Sequence, residues 1–303
     1  MKHLVSMLSQ LIAVLAIGTS ALPITSQAAD KLPVMASFSI LGDLVQVVGG
    51  DRVAVSTLVG ADQDAHVFEP KPQDAKNLLQ SKLLVTNGLG FEPWAQKLAK
   101  SANYKGATLV ATQSLASRSM QNEKGQAETD PHAWQNPNNV IVYVRNIAAT
   151  LTKLDPAGAA MFKANSENYI AELTALDTWA KAQFADLPPG KRKVITSHDA
   201  FGYFAAQYQI TFLAPQGIST EAEPSAKQVA QLIRQIKAEK IKAVFVENMS
   251  RPKLLAQLAK DVGITPGPAL YADALSGADR AGATYLKMMR HNVASIAAGM
   301  KQN

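Results

Sequence analysis

The amino-acid sequence predicts an α/β protein with two βα domains, each with a parallel sheet, joined by one long rigid α-helix. In both halves of the chain, short apolar runs alternate with amphipathic segments, which is the pattern of parallel βαβ units. The halves are separated by residues 156–187, where the only glycine is Gly158 and no proline follows Pro156. After a predicted leader about 275 residues remain, a length typical of two modest domains. We therefore place the N-terminal domain at 30–155, the linking helix at 156–187 and the C-terminal domain at 188–303.

Residues 1–29 have the pattern of a secretory signal peptide. Lys2 precedes an apolar run, and residues 26–28 form a small-x-small cleavage pattern. Polar residues and Pro23 interrupt the run, so it is too short and too polar for a membrane anchor. The chain has no cysteine, which excludes disulfides, thiolate metal ligands and a lipidated cysteine. We therefore expect a protein of the periplasm that is not lipid-anchored.

The first half contains four strand-like runs, and each is followed by a helical pattern. The predicted strands are 31–37, 51–59, 82–88 and 107–113, and the predicted helices are 39–50, 70–81, 91–102 and 136–156. Asn136 caps the last of these helices, with Pro137 at its first position. Before it, residues 114–130 are polar, and we expect a structureless loop there.

After the linking helix the same alternation returns. Strands are expected at 193–197, 210–215 and 243–247, with a strand end or loop at 268–273, and helices at 198–208, 225–240, 251–263 and 283–299. Ser225 and Gln228 have the spacing of a capping box, and Gly263 ends the third helix. The formal charge of +6 is mixed along the chain without a block of Lys and Arg. A nucleic acid is therefore not an expected partner, and we expect a monomer.

Three of the five histidines occupy one type of position. His66, His132 and His198 each follow a predicted strand and precede a helix, whereas His3 lies in the leader and His291 on the last helix. Parallel sheets bind their ligands outside the carboxyl ends of the strands. The three imidazoles come from both domains, so we expect them to meet in the interdomain cleft.

Asp273 follows the last predicted strand at an equivalent place. Three imidazoles and one carboxylate form a tetrahedral set that suits Zn(II), whereas Mn(II) prefers more oxygen ligands. A single histidine at a strand end is more often structural, and each of these groups could cap its helix. Four such groups at four strand ends favour a metal site. Whether a water replaces Asp273 in one state of the protein is left open by the sequence. The expected metal ligands are His66, His132, His198 and Asp273.

Several sequence motifs occur in order along nearly the whole chain. They include DAHVFEPKPQD at 64–74, DPHAWQNPNN at 130–139, VITSHDAFGYFAAQY at 194–208 and YADALSG at 271–277. Together they resemble the zinc/manganese substrate-binding proteins of metal-uptake ABC transporters (the ZnuA/TroA group). The resemblance implies two βα domains on one long helix, and it carries the family's metal ligands onto the same four residues.

The resemblance also bears on the choice of metal. By this resemblance, manganese-selective relatives carry a Glu at the third ligand position and zinc-binding relatives carry a His. This chain has His198 there. Many zinc members carry a histidine-rich loop before the DPH motif, but residues 114–130 contain no histidine. We expect zinc, with room for manganese or mixed use. Glu223 and Glu247 could orient a ligand imidazole, although solvated or helix-terminal roles fit them equally.

We therefore expect a periplasmic receptor that captures Zn(II) and delivers it to an ABC permease of the inner membrane. A periplasmic metallochaperone is a further candidate partner. The first alternative is a Mn(II) or mixed Zn/Mn receptor of the same type. A zinc hydrolase is less favoured, because catalytic zinc usually keeps three protein ligands and the chain has no HExxH motif. A metal-dependent adhesin is the remaining alternative.

Overall fold

The computed structural model describes residues 30–121, 126–249 and 253–303. The predicted signal peptide at 1–29 lies outside these residues and stays a prediction. Within the described part of the chain, no helix combines the length and the apolar character needed to cross a membrane.

A four-stranded parallel sheet lies at the centre of the N-terminal half. Its strands are β1 (Leu32–Phe38), β2 (Val53–Val59), β3 (Leu83–Thr86) and β4 (Ala107–Val110), in the order β2-β1-β3-β4. The connecting helices are α1 (Ser39–Gly49), α2 (Pro72–Leu79) and α3 (Pro93–Ser101). On the central strand β1, Val34 lies opposite Val55 of β2 and Leu83 of β3. Parallel strands need such crossover helices, so the predicted βα pattern of this half is confirmed.

The described residues of the segment 114–130, which are 114–121 and 126–130, are not structureless as we predicted. Within them, β5 (Ser119–Gln121) and β6 (Ala127–Thr129) pair in antiparallel register, with Ser119 opposite Thr129. A polar composition does not prevent such pairing, because the backbone supplies the hydrogen bonds of the ladder. The last residue of β6 directly precedes Asp130, so the strand pair leads into the segment that carries His132.

Two helices follow in the middle of the chain. α4 (Pro137–Leu154) begins after Asn136, whose side chain accepts a hydrogen bond from the backbone N–H of Asn138. A 3₁₀ turn at Pro156–Gly158 then leads into α5 (Ala159–Phe184), which has 26 residues and a length of about 39 Å. The long helix is therefore confirmed, although it begins later and ends earlier than 156–187. It contacts α1 and α4 in one half of the chain, and α6 and α9 (bounds below) in the other.

The C-terminal half has less regular strand pairing. β7 (Lys193–Ile195) and β8 (Thr211–Leu213) pair in parallel, and the helices are α6 (Gly202–Tyr208), α7 (Ala226–Glu239), α8 (Lys253–Asp261) and α9 (Tyr285–Met300). The predicted strand at 243–247 and the predicted strand end or loop at 268–273 contribute only isolated parallel bridges, Ile195 to Val244 and Glu247 to Leu270. Both segments run parallel to the segments they pair with, but they pair at too few residues to form a continuous ladder of hydrogen bonds. At the start of α7, Ser225 and Gln228 form the predicted capping box.

One large hydrophobic core connects the two halves. It includes Val34 of β1, Leu173 of α5 and Met289 of α9, all essentially buried. A second, smaller core lies between α7 and α8 and includes Leu232 and Leu255. Residues Lys31–Asn303 accordingly form one compact unit. The predicted domain boundaries at 155 and 187 stay predictions.

Candidate metal centre

The four expected ligands come from four separate loops. His66 follows β2, His132 follows β6, His198 follows β7, and Asp273 follows the bridge residue Leu270. Their potential ligand atoms all lie within 4.8 Å of one another. The ends of β2 and β7, which belong to two different parallel sheets, and the end of the antiparallel pair β5–β6 thus bring together residues that are distant in sequence. We call these four side chains the candidate metal centre.

The short distances in this centre involve the atoms that a cation would use. Asp273 Oδ2 lies 3.1 Å from His198 Nε2 and 3.3 Å from His66 Nε2, while Asp273 Oδ1 lies 3.7 Å from His132 Nε2. The Nε2 atoms of His66 and His132 are 3.2 Å apart. Both carboxylate oxygens of Asp273 and Nε2 of His198 are buried, and none has a partner in hydrogen-bond geometry among the residues that the structure describes. Leaving such atoms unsatisfied costs about 1–3 kcal/mol each, so the centre fits a cation that contacts all of them.

A buried carboxylate orients the ring of His132. The Nδ1 atom of His132 lies 2.9 Å from Asp130 Oδ1, and the same oxygen accepts the backbone N–H of His132 at 3.0 Å. The other oxygen of Asp130 accepts a hydrogen bond from the guanidinium of Arg118 at 3.0 Å. Because Asp130 engages Nδ1 of His132, the Nε2 atom of the same ring points at the candidate metal centre. A carboxylate in this position is the common support of metal-binding imidazoles.

Glu247 supports His198 in the same way. Its Oε2 lies 2.5 Å from His198 Nδ1, and its Oε1 accepts the backbone N–H groups of Ser197 and His198 at 2.9 and 3.1 Å. His198 also forms an isolated parallel bridge with Gln216, so its backbone is extended and α6 begins at Gly202, not at His198 as predicted. Of the two glutamates considered from sequence, Glu247 contacts the ring and Glu223 is exposed.

His66 is held by its backbone and by ring packing. Its N–H donates to Asp64 Oδ1 at 2.9 Å, and its ring meets the edge of Phe91 with centroids 4.8 Å apart. Asp273 is held through the residue before it, because the carbonyl of Ala272 accepts hydrogen bonds from Trp134 Nε1 and Gln135 Nε2 at 2.9 and 2.7 Å. The segment after His132 therefore positions Asp273.

Sequence reasoning missed these supporting residues. Trp134 and Gln135 reach a carbonyl more than 130 positions away, and only tertiary structure reveals that contact. Asp130 was detectable in principle, since it precedes His132 by two residues and an aspartate there can reach both the backbone and the ring. His291 does not join the centre; its Nε2 lies 2.8 Å from the carbonyl oxygen of Ala269.

Burial and neighbouring charges set the protonation of the centre. Burial lowers the pKa of His66, and Asp273 opposes this only in part. Burial would also lower the pKa of His198, but the Glu247 and Asp273 carboxylates outweigh it and raise this pKa well above its usual value. For Asp273, burial would raise the pKa, yet the His198 and His132 rings hold it well below its usual value. In the metal-free protein, the positive charge of a protonated His198 thus compensates the negative charge of Asp273, which a bound cation would otherwise compensate.

The sequence model of a family described as ZnuA, zinc-uptake complex component A periplasmic, matches residues 34–299. The chain belongs to the ZnuA family. The metal ABC transporter substrate-binding lipoprotein SsaB of Streptococcus sanguinis is 31% identical over 289 residues, which cover 91% of each chain. The manganese ABC transporter substrate-binding lipoprotein PsaA of Streptococcus pneumoniae is 30% identical over 314 residues, which cover 100% of each chain. Among solved structures, the periplasmic zinc binding protein TroA of Treponema pallidum has a TM-score of 0.84 at 26% identity, covering 89% of this chain and 99% of TroA.

These findings confirm the predicted family and the two-domain α/β fold with its long helix. As a ZnuA-family member, the protein is the substrate-binding component of a metal ABC transporter and not an enzyme. Its partner is accordingly a membrane permease. The name of PsaA specifies manganese and that of TroA specifies zinc, so the expected preference for zinc is not confirmed.

One prediction about localisation is wrong. We expected a periplasmic protein without a lipid anchor, but SsaB and PsaA are named lipoproteins. That expectation rested on the absence of cysteine, which excludes one chemistry of attachment. The composition of the chain was therefore too narrow a basis for a statement about where a ZnuA-family protein resides.

Proposed function

We propose that this ZnuA-family protein captures Zn(II) with His66, His132, His198 and Asp273 and delivers the ion to its permease. The observation that carries the proposal is the spacing of the candidate ligand atoms. In a tetrahedral zinc site with bonds of about 2.0–2.1 Å, the ligand atoms are separated by about 3.3 Å. Three separations lie near that value: Asp273 Oδ2 is 3.1 Å from His198 Nε2 and 3.3 Å from His66 Nε2, and the Nε2 atoms of His66 and His132 are 3.2 Å apart. All four ligand atoms lie within 4.8 Å of one another, so small side-chain movements would bring the set to tetrahedral spacing.

The chemistry of the donors supports carriage of an ion. Three nitrogens and one oxygen fill a tetrahedral shell, which leaves no open position for a reactive water. Two of the three imidazoles are already oriented by carboxylates, Asp130 and Glu247. Such support raises the affinity of an imidazole for a divalent ion.

Mn(II) is the second candidate, and a specific observation favours it. Both oxygens of Asp273 face the centre, one toward His198 and the other toward His132. A carboxylate that binds through both oxygens would provide a fifth donor, and Mn(II) favours oxygen donors and higher coordination numbers. The manganese named for PsaA agrees with this alternative.

The test is calorimetric titration of the metal-stripped protein with Zn(II) and with Mn(II). The wild type, His198→Ala and His291→Ala are compared, because His291 is a histidine outside the centre. We expect Zn(II) to bind more tightly than Mn(II), and His198→Ala to weaken both by more than about a hundredfold. His291→Ala should match the wild type. Tighter binding of Mn(II) would select the alternative, and equal affinities of His198→Ala and the wild type would exclude the centre as the binding site.

A further inference from the structure

A cavity of about 490 Å³ opens beside His66. Its wall includes Phe91, Thr129, Pro131, Ser219 and Glu221. The side chain of His66 is 5% exposed, whereas those of His132, His198 and Asp273 are fully buried. Solvent therefore reaches the candidate metal centre past His66, from this cavity.

One wall of the cavity is bound to the loop that carries His66. In this wall, formed by residues 218–221 of the C-terminal half, Ile218, Ser219 and Glu221 line the cavity, whereas His66 follows β2 of the N-terminal half. The hydroxyl of Thr220 donates to Asp64 Oδ2 at 2.7 Å, and Asp64 Oδ1 accepts the N–H of His66 at 2.9 Å. A single carboxylate thus connects the backbone of His66 to the opposite wall.

The same loop is fastened separately at Asp62. The N–H of Asp62 donates to the carbonyl of Leu275 at 2.8 Å, and its Oδ1 accepts from Asn248 Nδ2 at 2.9 Å. Asp62 also forms an ion pair with Arg280. These contacts join the His66 loop to the segment that follows Asp273. The His66 loop therefore has a second set of contacts, through Asp62, that does not depend on the Thr220–Asp64 hydrogen bond.

We infer that the metal ion enters and leaves through this cavity, and that the Thr220–Asp64 hydrogen bond is a latch on its exchange. The inference rests on the proposed function, because it assumes that the ion binds at His66. A hydrogen bond to a carboxylate is stronger than one between neutral groups, so the latch holds the wall over His66 and fixes the His66 backbone at once. Thr220 and Asp64 are positioning residues, since neither contacts a ring of the centre.

The latch is tested by the rate at which Zn(II) leaves the loaded protein, measured by stopped flow with excess chelator. Thr220→Val removes the hydroxyl at nearly constant shape, and Thr220→Ser retains it. We expect dissociation about tenfold faster in Thr220→Val, the loss that matches a hydrogen bond to a charged group, and the wild-type rate in Thr220→Ser. Thr174→Val is the matched control, because the hydroxyl of Thr174 bonds to the carbonyl of Ile170 on the exposed face of α5. Equal rates in Thr220→Val and the wild type would overturn the latch.

The route is tested by narrowing the cavity. Thr129 lines it and is exposed on β6, so Thr129→Trp places an indole at its mouth. If the ion passes through this cavity, the indole should slow association and dissociation by the same factor and leave the equilibrium affinity unchanged. Thr174→Trp should change neither rate. If Thr129→Trp leaves both rates at the wild-type value, the ion uses another route, even though the proposed function stands. Absence of Zn(II) and Mn(II) binding by the wild type would instead reject the proposed function itself.

Discussion

The Nδ1 atom of His198 lies 2.5 Å from Oε2 of Glu247, and both side chains are fully buried. This pair joins the loop after β7 to the segment 243–247, which contains Glu247 and pairs with its neighbours only through isolated bridges. It directs His198 Nε2 toward Asp273, 3.1 Å away. The orientation of His198 therefore depends on Glu247, which binds the ring nitrogen opposite to the one that faces Asp273.

Replacing Glu247 should weaken metal binding without removing a ligand. Glu247→Gln keeps the shape of the side chain but loses the charge that orients and polarises the His198 ring. We expect the affinity for Zn(II) to fall by about 10- to 100-fold, measured by competition with a chelating dye. Glu239→Gln is the control, since Glu239 pairs with Lys193 on the surface. An affinity equal to that of the wild type would show that Glu247 only supports the backbone.

Metal binding should release a proton near neutral pH. The pKa of His198 is raised well above its usual value, so its ring carries a proton that the ion must displace. As pH falls, the protonated form is favoured further and the affinity decreases, by about tenfold per pH unit for one displaced proton. Because burial lowers the pKa of His66, that ring is neutral and adds no proton in this range.

Calorimetry in two buffers of different ionisation enthalpy measures this proton. At neutral pH we expect about one proton per Zn(II) in the wild type, and the same number in His291→Ala. An affinity that does not change with pH would contradict binding at His198.

Glu92 should make the stability of the metal-free protein depend on pH. Burial raises its pKa from 4.5 to about 7, although Asn87, Ser37 and Gly88 donate hydrogen bonds to it. Between these two values the folded state binds more protons than the unfolded state, so the contribution of Glu92 to stability falls as pH rises. Glu92→Gln has no such titration.

The comparison is urea unfolding of metal-free wild type and Glu92→Gln at about pH 5 and about pH 8. Relative to the wild type, the variant should gain about 2.5 kcal/mol of unfolding free energy between the two conditions. Glu172→Gln, at an exposed position of α5, should show the same difference from the wild type at both. A constant difference for Glu92→Gln would mean that Glu92 is ionised throughout.

Asn136 should contribute to stability as the cap of α4. Its side chain accepts the N–H of Asn138 at 3.0 Å, and alanine cannot replace that acceptor. We expect Asn136→Ala to lower the free energy of unfolding by about 1 kcal/mol in urea, whereas Asn136→Asp retains the acceptor and should remain near the wild type. Equal losses in both variants would assign the effect to the contact between Asn136 and Gln207.

Much of this fold was predictable because its signals are local. Helix caps such as Asn136 and Ser225 use hydrogen bonds to residues only two or three positions away. The positions of His66 and His198 followed from the general rule that ligands bind beyond the carboxyl ends of parallel strands, whereas His132 follows an antiparallel strand pair that was not predicted. The structure brings their nitrogens together, and their role as metal ligands stays a prediction.

The remaining features depend on tertiary contacts. Glu223 and Glu247 look alike in sequence, and only the fold shows that Glu247 contacts His198. The pairing of β5 with β6 and the shortened strand at 243–247 depend on which backbones happen to face each other. The latch at Thr220 joins residues 156 positions apart, so no periodicity or spacing could have indicated it.

The candidate ligands lie on four loops that are far apart along the chain. An unfolded polypeptide therefore has no preformed site, and a captured ion favours the folded form alone. The melting temperature of the protein then becomes a gauge of free metal, and it should rise with the logarithm of the ion concentration once the ion exceeds its dissociation constant. A thermal scan across a panel of divalent salts would rank cargo ions directly.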